Sequence, residues 1–136
     1  MYSDKLLVSI PSIDNSVTIT KRFVVGAIAK NFDPLGLLLP VTVTGKLFLQ
    51  NLWKRELAWD ETVNEELCTK WHAFVNDIVS LKCNDFPRHV GKFSQPTLLA
   101  FADASQQAFG GVAYIVENSV VSLVIAKSRL APINTP

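Results

Sequence analysis

The sequence carries little charge. Only 18% of its 136 residues are Asp, Glu, Lys or Arg, against roughly 25% in a typical soluble domain. Thirteen Lys and Arg nearly cancel twelve Asp and Glu, which leaves a formal charge of +1. That balance excludes a basic tail or an acidic solvating segment, so any basic patch must be local. Cysteine and histidine are scarce as well. Cys68 and Cys83, with the isolated His72 and His89, do not have the spacing of a Cys-rich zinc site. Both cysteines are expected to be reduced thiols in an intracellular protein. Long apolar runs are missing: the most apolar stretch, Leu35 to Leu49, is broken by Pro40, Thr42, Thr44, Gly45 and Lys46. A bilayer span needs about 20 mostly apolar residues, so no contact with membrane is expected. Met1 to Ile10 contains Asp4 and only a short apolar run, unlike a signal peptide. The common catalytic signatures are also missing. There is no Gly-rich phosphate loop, Gly-x-Ser-x-Gly elbow or His-Glu-x-x-His, and no Asp-Thr-Gly, Asp-Ser-Gly or Tyr-x-Asp-Asp. A catalytic centre built wholly from these residues is hard to assemble.

What is present is apolar. Hydrophobic residues make up 49% of the chain, and the mean hydropathy is +0.24. The length suits one ordinary domain or pieces of two small ones. Small domains bury the smallest fraction of their surface. The composition therefore predicts apolar surface meant for neighbours, as in a piece of a larger protein.

The hydrophobic period changes along the chain. Residues 1–16 alternate loosely and read as a strand or a frayed arm. Thr20 is placed to cap a helix from Lys21 to about Phe32, with Val24, Val25, Ile28 and Ala29 on one face. Gly26 weakens that helix and is expected to mark close packing. Asp33-Pro34-Leu35-Gly36 is a turn signal. A second helix is expected from Pro40 to about Leu57, burying Val41, Thr44, Leu47, Phe48, Leu52 and Trp53. Lys46, Gln50, Lys54 and Arg55 would face outward. Thr62-Val63-Asn64-Glu65 matches a capping box. The helix after it, ending near Cys83-Asn84, has the best periodicity: Leu67, Trp71, Phe74, Val75, Ile78 and Leu81. Asp85 to Pro96 reads as a loop. Three strands are then predicted: Thr97–Ala102, Val112–Val116 and Val120–Ala126. Gly110-Gly111 is read as a break and Glu117-Asn118-Ser119 as a turn. Short connections suggest an antiparallel meander. The expected fold class is α+β, helical first and β second, in two structural units.

Asp103 is the strongest candidate for chemistry. It ends an apolar strand in Phe101-Ala102-Asp103-Ala104-Ser105, where a rigid element would hold a carboxylate at the sheet edge. That placement suits a Mg²⁺ ligand, because Mg²⁺ prefers hard oxygen donors and few protein carboxylates. Small neighbours leave room, and Gly110-Gly111 permits close approach. From spacing alone, a turn cap after a strand is the favoured explanation of Asp103. Asp33 reads as an Asx-type turn or helix cap. His72 reads as a surface or half-buried residue. Trp53, Trp59 and Trp71 read as core or interface anchors rather than base-stacking platforms. Lys46, Lys54 and Arg55 are weak candidates for phosphate contact on an otherwise solvated helix face.

The order of several short stretches then adds a resemblance. Thr20-Lys21-Arg22, the run Ile28-Ala29-Lys30-Asn31-Phe32-Asp33-Pro34-Leu35-Gly36-Leu37-Leu38-Leu39-Pro40, Leu49-Gln50-Asn51-Leu52-Trp53 and Trp59-Asp60 resemble the thumb region of BEL/Pao retrotransposon Pol polyproteins. Glu65-Glu66-Leu67 and Lys70-Trp71 resemble its next helix. Phe101-Ala102-Asp103-Ala104-Ser105, Ala108-Phe109-Gly110-Gly111-Val112-Ala113-Tyr114 and Ala126-Lys127-Ser128-Arg129-Leu130-Ala131-Pro132 resemble the start of its RNase H-like domain.

Residues 1–19 read as an N-terminal arm. The resemblance implies a helical reverse transcriptase thumb and connection over 20–95. Over 96–136 it implies a truncated RNase H-like domain, represented by its first three antiparallel strands. It implies that Thr97–Ala102 is central in the sheet and flanked by Val112–Val116. Asp103 would be the first metal-binding carboxylate of a two-Mg²⁺ centre that hydrolyses RNA in an RNA/DNA hybrid. Lys46, Lys54, Arg55 and Ser105 are weak candidates for nucleic-acid contact. The implied partners are the hybrid and the rest of the Pol polyprotein, in the cytoplasm or a particle. The family's next catalytic residue is a Glu on a helix after the third strand, and the sequence stops at Pro136, before such a helix. Glu117 is the only later acid. One carboxylate cannot hold two metals, so the fragment is expected to be inactive alone and to bind no Mg²⁺ by itself. The alternative is a non-catalytic interaction module derived from a retroelement.

Overall fold

The computed structural model describes residues 5–6, 8, 12–14, 16–31, 33–81, 86–87 and 90–133. Cys83, His89 and the expected helix end at Cys83-Asn84 lie outside these residues. The element order is β1 (Lys5–Leu6), α1 (Lys21–Ala29), α2 (Leu39–Lys54), α3 (Glu65–Ser80), β2 (Phe86–Pro87), β3 (Thr97–Ala104), β4 (Ala108–Glu117) and β5 (Val120–Leu130). No helix among the described residues is long and apolar enough to cross a membrane. The fold is α+β, and the chain forms two compact units. The helical unit contains α1, α3 and α2 from Pro40 onward. The β unit contains the strands together with segment Asp33–Leu39.

Caps and turns set the helix limits. Thr20 is the N-cap of α1, its side chain accepting the Phe23 N–H at 3.2 Å. The helix stops at Ala29, short of Phe32, and the Asn31 N–H turns back to the Ile28 carbonyl. The following Asp33-Pro34 disfavours helical backbone. α2 ends at Lys54 and not at Leu57, because Glu56 takes a left-handed φ of 54°. That turn aims the Leu57 carbonyl at Lys21 Nζ, which donates to it. α3 is capped by Asn64 and not by Thr62: Asn64 Oδ1 accepts the Leu67 N–H at 3.0 Å. Thr62 is engaged elsewhere. It forms a bridge with Thr20, and the Val63 N–H bonds the Ile19 carbonyl. Local spacing identified a capping site, but a remote backbone pairing moved it by two residues.

The helical unit packs around Trp71, which is fully buried with Val24, Leu52, Leu67 and Val75. Its indole stands among Phe23, Phe48 and Phe74 at ring-centroid distances of 6.2, 5.3 and 5.4 Å. Burial departs from the expected stripe at several positions. Lys21 is only 4% exposed, and its ammonium lies 4.2 Å from the Trp53 ring centroid. Trp53 and Trp59 stay nearly half exposed. Thr44 is exposed, whereas Gly45 is buried.

Close packing falls at Gly45, not at Gly26. A Cβ on Gly45 would lie 2.8 Å from Phe74 Cζ, but a Cβ on Gly26 would meet nothing within 4 Å. Gly26 faces a cavity of about 540 Å³. Gly26→Ala is therefore expected to stabilise the helical unit by about 1 kcal/mol, from helix propensity and reduced unfolded-state entropy. Urea unfolding should show a higher midpoint with an unchanged slope.

In the β unit, β3, β4 and β5 form an antiparallel meander in the order β3-β4-β5. The β4–β5 turn, Asn118-Ser119, has φ of 48° and 67°, the signs a two-residue primed hairpin requires. Gly110 and Gly111 do not break the chain; they lie inside β4, opposite Asp103 and Ala102. Added Cβ atoms there would stand 3.3 Å from the Lys127 carbonyl oxygen and 3.4 Å from that of Phe101. β1 and β2 form a separate two-stranded pair, within what was expected to be arm and loop.

The predicted turn Asp33–Gly36 explains itself here. Asp33 Oδ1 and Oδ2 accept the N–H groups of Leu37 and Leu38 at 2.8 and 2.7 Å. The Leu35 carbonyl then accepts the Ala126 N–H of β5 at 2.7 Å. The outer edge of β5 is thus partly covered. Among the described residues β3 is the other edge strand, not the central one. Every residue of β3 is exposed.

Candidate functional site

The antiparallel pairing of β3 with β4 extends to Ala104, so Asp103 is held by regular sheet structure. Side chains alternate along a strand, which puts Asp103 on the face that carries Leu99 and Phe101. Its partner across the ladder is Gly110, and the partner of Gly110 in β5 is Ser128. The row Asp103-Gly110-Ser128 therefore has a bare centre. The Asp103 carboxylate is exposed, and its Oδ1 accepts the Ala104 N–H at 2.8 Å. Ser128 Oγ is buried without a hydrogen-bond partner among the described residues. It stands two strand spacings from Asp103, about 9.5 Å. The two do not form one ligand set. Sequence reasoning did not single out Ser128 as a site residue. Its only signal was the cross-strand register, which a linear sequence does not display.

Asp103 is a hard oxygen donor on a rigid element, and that chemistry suits Mg²⁺. It is a single donor. Among the described residues no group of three His, Cys, Asp or Glu could hold a metal ion. The described residues alone do not fit a two-metal centre.

Ser105 clasps the β3–β4 connection. Its Oγ donates to the Ala108 carbonyl and accepts the N–H groups of Gln107 and Ala108, all within 3.2 Å. Lys46, Lys54 and Arg55 belong to the helical unit and are exposed. Arg55 contacts Asn51 and Glu66, each at 3.4 Å, and Glu66 also binds Lys70 at 2.6 Å. The structure thus places Asp103 and Ser105 at one end of β3. The three basic candidates lie along and after α2.

Glu117, at the end of β4, holds the segment before β3. Its carboxylate accepts the backbone N–H groups of Gln95 and Ser94 and the Ser94 hydroxyl. The Gln95 and Ser94 backbone N–H bonds keep its pKa below the usual glutamate value. A lowered folded pKa contributes stability above the unfolded value, and that stability is lost as pH falls through the folded one. Glu117→Gln should leave the β unit less stable at neutral pH and less sensitive to acid. Acid titration of the Ser94 and Gln95 amide shifts by NMR would check this.

Cys68 is a free thiol. His72 is half-buried. Trp71 is the core anchor, whereas Trp53 and Trp59 form an exposed edge-to-face pair at 5.3 Å. No curated protein and no solved structure matches the chain. The model of the Pao retrotransposon-like RNaseH-like domain family matches residues 20–136, all but the first nineteen, and the chain belongs to that family.

Proposed function

We propose that this chain acts as part of a retrotransposon Pol polyprotein, in a reverse transcriptase/RNase H region that works on RNA/DNA hybrid. Asp103 contributes one carboxylate to a Mg²⁺ centre whose other ligands come from elsewhere in the polyprotein. The observation that carries this reading is a rigid, exposed Asp103 opposite Gly110, in a chain of this family. Lys46, Lys54 and Arg55 would supply phosphate contacts that position the hybrid without reading bases. The 136-residue chain by itself is inactive in this reading, because one carboxylate does not hold two metals. The polyprotein would act inside the cell, in the cytoplasm or a particle.

The test uses a Pol polyprotein that carries this sequence. Asp103→Asn should lower Mg²⁺-dependent cleavage of the RNA strand by a hundredfold or more, on the order expected when a group stabilising the transition state is removed. Hybrid binding should persist. Undiminished cleavage would sink the assignment.

A second reading, a non-catalytic interaction module derived from a retroelement, draws on the exposed apolar residues of β3. It predicts that Asp103→Asn changes nothing, whereas polar substitutions at Leu98 or Phe101 abolish partner binding.

A further inference from the structure

The cavity beside Gly26 lies wholly within the helical unit and includes no residue of the β unit. Its volume of about 540 Å³ falls among small-molecule pockets, which span about 300–1,000 Å³ and are mostly apolar with a few polar groups. One wall is a single face of α1 and its C-cap: Arg22, Phe23, Gly26, Ala27 and Lys30 recur at helical spacing. Ile13 and Val17 complete the apolar lining. Phe23 also packs edge to face on Trp71 at 6.2 Å, which ties this wall to the core.

Two features of the cavity are left unexplained by folding. The first is Gly26. Glycine inside a helix destabilises it relative to alanine, a cost that is offset where a neighbour needs the space of a Cβ. Gly45 meets that condition. Gly26 does not, because a Cβ there meets nothing within 4 Å. The space it leaves open belongs to the cavity. The second is Lys30. Of the three charged lining residues, Arg22 is committed to Asp60, through Nε and Nη2 at 2.7 and 2.9 Å. Asp14 is committed to Ser16, whose backbone N–H and hydroxyl donate to its Oδ1 at 2.9 and 2.6 Å. Lys30 is exposed, and its ammonium has no hydrogen-bond or ion-pair partner among the described residues. A largely apolar pocket thus carries one uncommitted cation.

We propose that this cavity binds a small amphipathic monoanion, with its apolar body against Phe23, Gly26 and Ala27 and its anionic head on Lys30. A neutral ligand would leave Lys30 unused. A cation would be repelled by Arg22 and Lys30, and a polyanion would meet the Asp14 carboxylate in the same lining. Gly26 keeps the room that the apolar body fills. The inference does not depend on the proposed function.

Titration of the whole chain with 8-anilinonaphthalene-1-sulfonate, followed by its fluorescence, tests it. Uncharged N-phenyl-1-naphthylamine serves as the matched probe. The expected result is saturable binding of a single sulfonate molecule per chain. Lys30→Glu should lower the sulfonate affinity at least about tenfold, the order expected for losing one charge-assisted contact. It should change the affinity for the uncharged probe much less. Lys92→Glu, the same charge change in the β unit, should alter neither. Gly26→Leu should abolish binding of both probes, while its urea midpoint stays at or above that of the parent chain. A more stable helix with a lost ligand distinguishes a filled cavity from a damaged fold. Gly26→Ala should weaken both probes in the same way, and it decides the case if the leucine variant folds poorly. Non-saturable binding, several probe molecules per chain, a sulfonate affinity indifferent to Lys30→Glu, or probe binding unchanged by both Gly26 variants would each overturn the proposal.

Discussion

Trp71→Ala should lower the stability of the helical unit by about 3–5 kcal/mol, the range for removing a large buried aromatic. A small domain has only about 5–15 kcal/mol in total, so the variant should be partly unfolded at room temperature. Trp71 is 0% exposed, and three aromatic rings surround it. Phe23 comes from α1, Phe48 from α2 and Phe74 from α3 itself. Removing the indole takes a contact from every helix at once and opens a cavity that three helices would have to close together. Trp71→Phe should cost much less. It keeps most of the packed surface, and the indole N–H that it removes has no hydrogen-bond partner among the described residues. Loss of an unpaired buried donor carries no penalty of its own. Urea unfolding followed by far-UV circular dichroism measures both variants without relying on the lost fluorophore. Equal costs for the two would show that ring packing is not what holds the helices.

Gly36→Ala should have the second largest effect, and it should be confined to the β unit. Gly36 sits at φ 77°, a conformation that costs other residues about 1–2 kcal/mol. The new Cβ would also stand 2.2 Å from the Ala126 carbonyl oxygen, an overlap that backbone atoms cannot relieve without moving apart. The total should exceed about 2 kcal/mol. The Leu35 carbonyl should then separate from the Ala126 N–H. Hydrogen exchange at the Ala126 amide reads this directly: protection should fall at least tenfold, while the amides of β4 facing β3 change little. Unchanged protection at Ala126 would mean that the segment does not depend on close approach at Gly36.

Much of the architecture was legible in the residue pattern, for local reasons. The periodicity of Leu67, Trp71, Phe74 and Val75 identified α3, because one helix face repeats every three to four residues whatever it packs against. Thr20 was recognisable as a cap because its hydroxyl acts within three residues. The alternation and turn residues of 97–127 announced a meander, since hairpin geometry is set by neighbours in sequence. The candidate site was less legible. Asp103 stood out through its place at the end of an apolar strand, but Ser128 did not, because cross-strand register is invisible in one strand read alone. Ser105 was read as a nucleic-acid contact, and its hydroxyl also closes the turn that holds β3 to β4.

By itself the sequence determined the three helices, the three strands of the meander and their order, the turn at Asp33–Gly36 and the family to which the chain belongs. These follow from spacing, from caps and from turn chemistry, all of which act over a few residues. Tertiary structure alone decided which glycine is packed, which cap is used and which charge is buried. Gly45 rather than Gly26 meets another helix, because only the fold sets Phe74 against it. Asn64 rather than Thr62 caps α3, because residues 19–20 claim Thr62 and Val63. Lys21 is buried because Leu57, more than thirty residues away, offers a carbonyl and Trp53 a ring face. β3 is exposed on its outer edge because pairing is a property of strands brought together, and a strand's own residues do not state how many partners it has.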